Sequence, residues 1–130
     1  MAAVGPFNPK PSSRTQATVG MTTNAAGTSD TINLTGLTLC SIQMSTAWDA
    51  ANIGFNANVD GSTNYYPVFD LNGNNLTFPT SASRVVTFDP AQFTGLQFIQ
   101  LVSETSAGVA VAQTAARTLK LGLAEYAMAE

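Results

Sequence analysis

What most restricts the fold of this chain is its punctuation. From residue 15 onward, segments rich in Thr, Val, Ile, Leu and Phe are each stopped within a few residues by Gly, Asn, Asp or Pro. A strand is complete in about 4–8 residues whereas a helix needs about 10 or more, so this spacing suits a sandwich of short strands. The pattern predicts strands at 15–23, 31–34, 37–44, 53–59, 65–69, 75–78, 84–88, 96–103 and 117–123.

The clearest segment alternates with period two. Ile53, Phe55, Ala57 and Val59 share one face, and Gly54, Asn56 and Asn58 share the other, the pattern of an antiparallel strand buried on one side. Ile53, Phe55 and Val59 are therefore expected in the core, with Phe98 or Ile99 on a facing strand. Asp60-Gly61 and Asp70-Leu71-Asn72-Gly73 supply residues that tolerate positive φ, so two hairpin reversals should follow one another. Asp89-Pro90-Ala91-Gln92-Phe93 reads as one helical turn, with Asp89 as N-cap and Pro90 at the first helical position. Residues 107–116 are rich in Ala, but Gly108, Val109 and Val111 favour a loop or irregular edge strand over a helix.

Pro6, Pro9 and Pro11 exclude a helix from residues 1–14 and leave no alternation suited to a central strand. These residues are expected to form an extended arm ahead of a domain spanning 15–130. At 130 residues the chain suits a single core. The fold expectation is all-β: an antiparallel β-sandwich, jelly-roll-like, with an extended N-terminal arm.

Only 10% of the residues are charged, against about 25% in an ordinary soluble domain. Asn, Thr, Ser, Gln and Gly must cover the surface, and pressing such a surface against a partner strips away less charge hydration. That favours a component of an assembly. Lys10, Arg14, Arg84, Arg117 and Lys120 are scattered within a net charge of -3, so no basic cluster is available for nucleic acid. No apolar run approaches membrane-spanning length, and no signal-peptide pattern opens the chain. Synthesis in a cytoplasm, without membrane attachment, is the expectation. Cys40 stands alone, has no partner for an intramolecular disulfide, and is expected to be a buried, inert thiol.

The chain contains no histidine, which removes the usual general base, the usual triad base and the commonest zinc ligand. No cofactor or metal is expected. Paired-acid chemistry would have to use Asp49, Asp60, Asp70, Asp89 or Glu104, but Asp60 and Asp70 fit turns, Asp89 fits a cap, and Asp49 fits a connection. The segment from Asp70 to Asn75 lacks the closing acid of an EF-hand calcium loop and suits a hairpin. Trp48, Tyr65, Tyr66 and Phe69 could offer rings for stacking on sugars, although alternation places neighbouring rings on opposite faces. Arg84 and Arg117 each lead into an apolar strand and are expected to clamp onto a carboxylate or carbonyls.

The stretch from Trp48 through Asp49, Ala50, Ala51, Asn52, Ile53 and Gly54 to Phe55, continuing to Asn58-Val59-Asp60-Gly61, resembles a pattern in short structural proteins of tailed bacteriophages. The stretch from Leu96 to Thr105 (LQFIQLVSET) and the closing Ala116-Arg117-Thr118-Leu119-Lys120-Leu121 resemble it too. The resemblance spans roughly residues 36–123. It implies a virion component of the capsid decoration, or cement, type on the capsid exterior, assembled as a homotrimer and bound to the major capsid protein.

On this view the function is structural and non-enzymatic. Phe7, Lys10 and Arg14 are the expected attachment residues, Phe7 as apolar anchor and the two cations as partners for carboxylates. The alternative is a sugar- or receptor-binding module of a head or tail fibre, with Trp48, Tyr65 and Tyr66 as its platform.

Overall fold

The pleat of a β-strand sends successive side chains to opposite faces, and the buried residues of this protein follow that rule along its longest strands. The computed structural model describes residues 14–125. It contains nine strands: β1 (Arg14–Met21), β2 (Ile32–Asn33), β3 (Leu37–Gln43), β4 (Asn52–Asn58), β5 (Tyr66–Pro67), β6 (Thr77–Phe78), β7 (Val85–Thr87), β8 (Phe98–Glu104) and β9 (Arg117–Glu125). All the expected segments form strands, with ends shifted by a few residues. One boundary correction is at the start, where Arg14 already pairs with Ala124 as the first residue of β1. Arg14 thus belongs to the sheet. Phe7 and Lys10, and the arm they were assigned to, lie outside the described residues.

The strands form two sheets, ordered β1-β9-β3-β7 and β2-β8-β4-β5, with β6 pairing β4 beyond β5. Every pairing is antiparallel. Consecutive strands change sheet at each connection except along β4, β5 and β6. There β5 and β6 both run antiparallel to β4 along one edge, and the Asp70–Gly73 reversal closes a small hairpin between them. The two expected turns thus form without a meander of three strands. One sheet sends Leu39, Ile42, Leu119, Leu121 and Leu123 into the core; the other sends Ile53, Phe55, Ile99 and Leu101 to meet them.

Phe55 occupies the middle of an aromatic cluster. Its ring lies 4.9 Å from Phe93, 5.7 Å from Phe88 and 6.1 Å from Phe78, all edge-to-face, an arrangement that sets positive ring edges against negative ring faces. Phe88 follows β7 in one sheet and Phe78 ends β6 in the other, so the cluster ties the sheets together. Phe93 reaches it through a single 3-10 turn, Pro90–Gln92. Asp89 caps that turn by accepting the Ala91 amide at 3.1 Å, and Pro90 stands at its first position as expected.

Two core assignments are corrected. Val59 is 70% exposed, because β4 stops at Asn58. The Asn58 side chain accepts from the Gly61 amide and donates to the Ser62 carbonyl, so it turns the chain one residue early. Ile99 is fully buried, but it pairs with Ala57 in the same sheet as β4 and does not face it from across the core. Phe98 is half-buried on the outward face. Cys40 is also only half-buried, at a register shift between Leu39 and Ser41, and desolvation raises its thiol pKa.

Phe55→Ala should cost about 3–5 kcal/mol, a large share of the about 5–15 kcal/mol that holds a domain of this size. Val59→Ser should stay within about 0.5 kcal/mol. Urea unfolding measures both, and an unchanged midpoint for Phe55→Ala would refute the cluster's role.

Candidate functional site

In a chain this poor in charge, each ionisable side chain near the core must find a partner or remain unsolvated, and β9 begins with such a residue. Arg117 is 9% exposed. Its guanidinium donates to Asp49 Oδ2 at 3.1 Å, to Thr114 Oγ1 at 3.2 Å and to Gln113 Oε1 at 3.1 Å. Gln113, itself buried, donates to Ser103 Oγ and accepts from the Asp49 amide. Asp49 Oδ2 also accepts the Thr114 amide and hydroxyl. The network pins the loop after Trp48 and the loop before β9 to the start of that strand.

Arg117 is therefore the expected clamp. Arg84, by contrast, is exposed and forms no ion pair among the described residues. Gln113 and Thr114, which accept from Arg117, and Ser103, which accepts from Gln113, were not foreseen, because uncharged polar residues are too common in this sequence to stand out. The hydrogen bonds from Thr114, supplemented by Arg117, hold the Asp49 carboxyl below its ordinary pKa.

The other acids considered for paired-acid chemistry also have local partners. Asp60 accepts from the Ser62 amide, which lowers its pKa. One Asp70 oxygen accepts the amides of both Asn72 and Asn74, closing the hairpin expected in place of a calcium loop. Glu104 is 5% exposed. It takes the Asn75 amide at 2.8 Å and lies over Gly54, where a Cβ would collide with its carboxylate. No group of three His, Cys, Asp or Glu residues is placed to hold a metal among the described residues.

The proposed ring platform is corrected. Trp48 is 5% exposed and its indole donates to the Ala51 carbonyl, so its faces are spent on the core. Tyr65 is half-buried, with its hydroxyl on Thr31, while Tyr66 is 65% exposed. The structure does not bring these three rings together as one surface.

What it exposes instead is a set of apolar side chains, three of them outside the strands, where no period applies. Val59, Tyr66, Phe69 and Leu71 are 58–105% exposed. Two open depressions follow them. One of about 360 Å³ is lined in part by Val59, Tyr66 and Val68. The other, of about 410 Å³, is lined in part by Val68, Phe69 and Leu71. Val68, half-buried between them, lines both. No family model, curated protein or solved structure matches this chain.

Two outcomes follow from this geometry. Because Asp49 has a lowered pKa in the folded state, its stabilising contribution is complete above the unfolded-state value, about 3.9. It disappears as pH falls through the lower folded value. Stability should thus decline on acidification through and below the ordinary aspartate range, and Asp49→Asn should flatten that decline in a pH series of urea melts. Gly54→Ala should destabilise the fold, and adding Glu104→Ala should recover part of the loss; a double variant no more stable than Gly54→Ala would refute the contact.

Proposed function

We propose that this protein is a structural component of a virus particle, a decoration or cement protein that binds the outside of a phage capsid and stiffens the shell. The observation that carries the reading is the division of labour on the surface. Asp49, Asp60, Asp70, Asp89 and Glu104 are tied into turns, a cap, a clamp or a strand contact, whereas large apolar side chains remain exposed along one edge. Contiguous exposed apolar surface marks places where proteins meet.

The strand order supports the same reading. If β5 and β6 are counted as one divided edge strand, β1-β9-β3-β7 against β2-β8-β4-β5 is the interleaving of a jelly roll, an architecture common in viral capsid and lectin domains. Beside Gly54, which Glu104 covers, the outward face of β4 presents Asn52 and Asn56, half-buried polar positions without charge. Such a face meets a partner at low desolvation cost.

The mechanism is buried area multiplied by avidity. Copies assembled as a homotrimer engage the major capsid protein at several points, so each contact after the first is effectively intramolecular. No side chain needs chemical activation. The arm supplies attachment: its prolines reduce the entropy lost on docking, Phe7 provides an apolar anchor, and Lys10 pairs with carboxylates of the partner.

Because β1 begins at Arg14, the deletion that tests attachment removes residues 1–13. It should leave the melting temperature of the isolated protein nearly unchanged and greatly reduce binding to phage heads, measured by co-sedimentation and electron microscopy of the particles. Full occupancy by the truncated protein, with particle heat resistance unchanged, would refute arm attachment.

A further inference from the structure

The exposed apolar strip along β5 carries charge of one sign. Asp60 belongs to the depression that contains Val59 and Tyr66. Asp70 and Asp89 belong to the one that contains Phe69 and Leu71. Neither depression has a Lys or Arg in its lining. Hydrogen bonds from Ser62 favour the ionised form of Asp60, so the rim of the strip is anionic near neutral pH.

The outward face of the other sheet carries the opposite sign. Arg14 on β1 and Lys120 on β9 are exposed there, on strands that pair along their full length. Two further open depressions lie on this face, one beside each cation, and they share Gln16, Ser41 and Gly122. No acidic residue lines either. Ser41 sits where a Cβ of Gly122 would be, so this part of the face is low and uncluttered. Exposed Val85 adds an apolar spot beside Lys120.

We propose that these two surfaces are the two halves of one self-association interface, in which the acid-rimmed β5 strip of one copy docks on the Arg14–Lys120 face of the next. They share no lining residue, so the contact is head-to-tail and each copy keeps one free half until the ring closes. Docking the strip on itself would oppose Asp to Asp, which like-charge repulsion disfavours. The occupant that matches both the charge and the apolar character is thus a second copy of this chain. This deepens the self-association in the reading above, and its test needs no particle.

The experiment uses full-length chains in sedimentation velocity. One variant carries Asp60→Asn, Asp70→Asn, Asp89→Asn and Leu71→Ser; Asn retains a side-chain acceptor for the turn and cap amides. The other carries Arg14→Gln and Lys120→Gln. Wild type should self-associate at micromolar concentration, less so in high salt. Each variant alone should associate about tenfold more weakly or worse, and their mixture should form a 1:1 heterodimer through the one intact pair of surfaces.

A wild type that stays monomeric would overturn the interface, as would a variant that associates like wild type or a mixture no better than its components. Should the multiple variant fold poorly, Leu71→Ser and Lys120→Gln as single substitutions give the same mixing test. A chain that decorates particles as a monomer would sink this interface and leave shell binding standing. One that self-associates but ignores particles would do the reverse.

Discussion

The edge-to-face cluster around Phe55 is the contact on which the two sheets depend. Phe78 and Phe88 approach it from opposite sheets and Phe93 closes it from the 3-10 turn. Aromatic rings bury more area than any other side chains available here, and their edge-to-face packing adds about 0.5–1.5 kcal/mol per pair beyond burial. Because the turn that delivers Phe93 is capped by Asp89 and started by Pro90, local chain chemistry and long-range packing cooperate. The cap orients the turn, and the cluster gives the turn something to hold.

Polar groups inside this fold are few and satisfied. Among the described residues no buried side-chain nitrogen or oxygen lacks a hydrogen-bond partner. The Arg117, Gln113 and Asp49 network meets that requirement by spending a cation, a carboxylate and an amide on holding two loops. Charge used in this way cannot serve at the surface. Several of the few ionisable groups are thus committed to turns and clamps, and the remaining surface is covered mainly by uncharged polar residues.

The exposed apolar residues are the counterpart of that economy. β5 is one half of the split edge of its sheet, paired only to β4, and the hairpin that follows it lifts Phe69 and Leu71 into solvent. Sheet edges invite pairing with other chains. Here Pro67 removes one amide donor from the edge, which discourages strand addition while leaving side chains free for contact. Association through side chains is discriminating, because the acidic rim admits a surface of opposite charge and disfavours its like.

How much of this was legible in the sequence depends on the physical range of each signal. The buried apolar set Ile53, Phe55 and Ala57 of β4, the Asp60-Gly61 and Asp70–Gly73 reversals, the Asp89-Pro90 turn and the irregular course of residues 107–116 rest on neighbours a few residues apart, so the residues themselves carried them. The partnership of Arg117 was foreseeable in kind, since an isolated cation entering an apolar strand must be neutralised. Its identity was not, because Asp49 is 68 residues away in the chain.

Val59 continued the alternation and was misplaced, because Asn58 ended the strand by bonding to Gly61 and Ser62. Trp48 resembled a ligand platform until its loop folded inward. The sequence by itself determined that this chain would be short strands around one core with an almost chargeless surface, since strand length, turn chemistry and composition act locally or on the whole. Only the tertiary structure decided which sheet each strand joined, which apolar side chains were left outside, and which acids and cations share a face. Those outcomes depend on contacts between residues far apart in the chain, and periodicity carries no record of them.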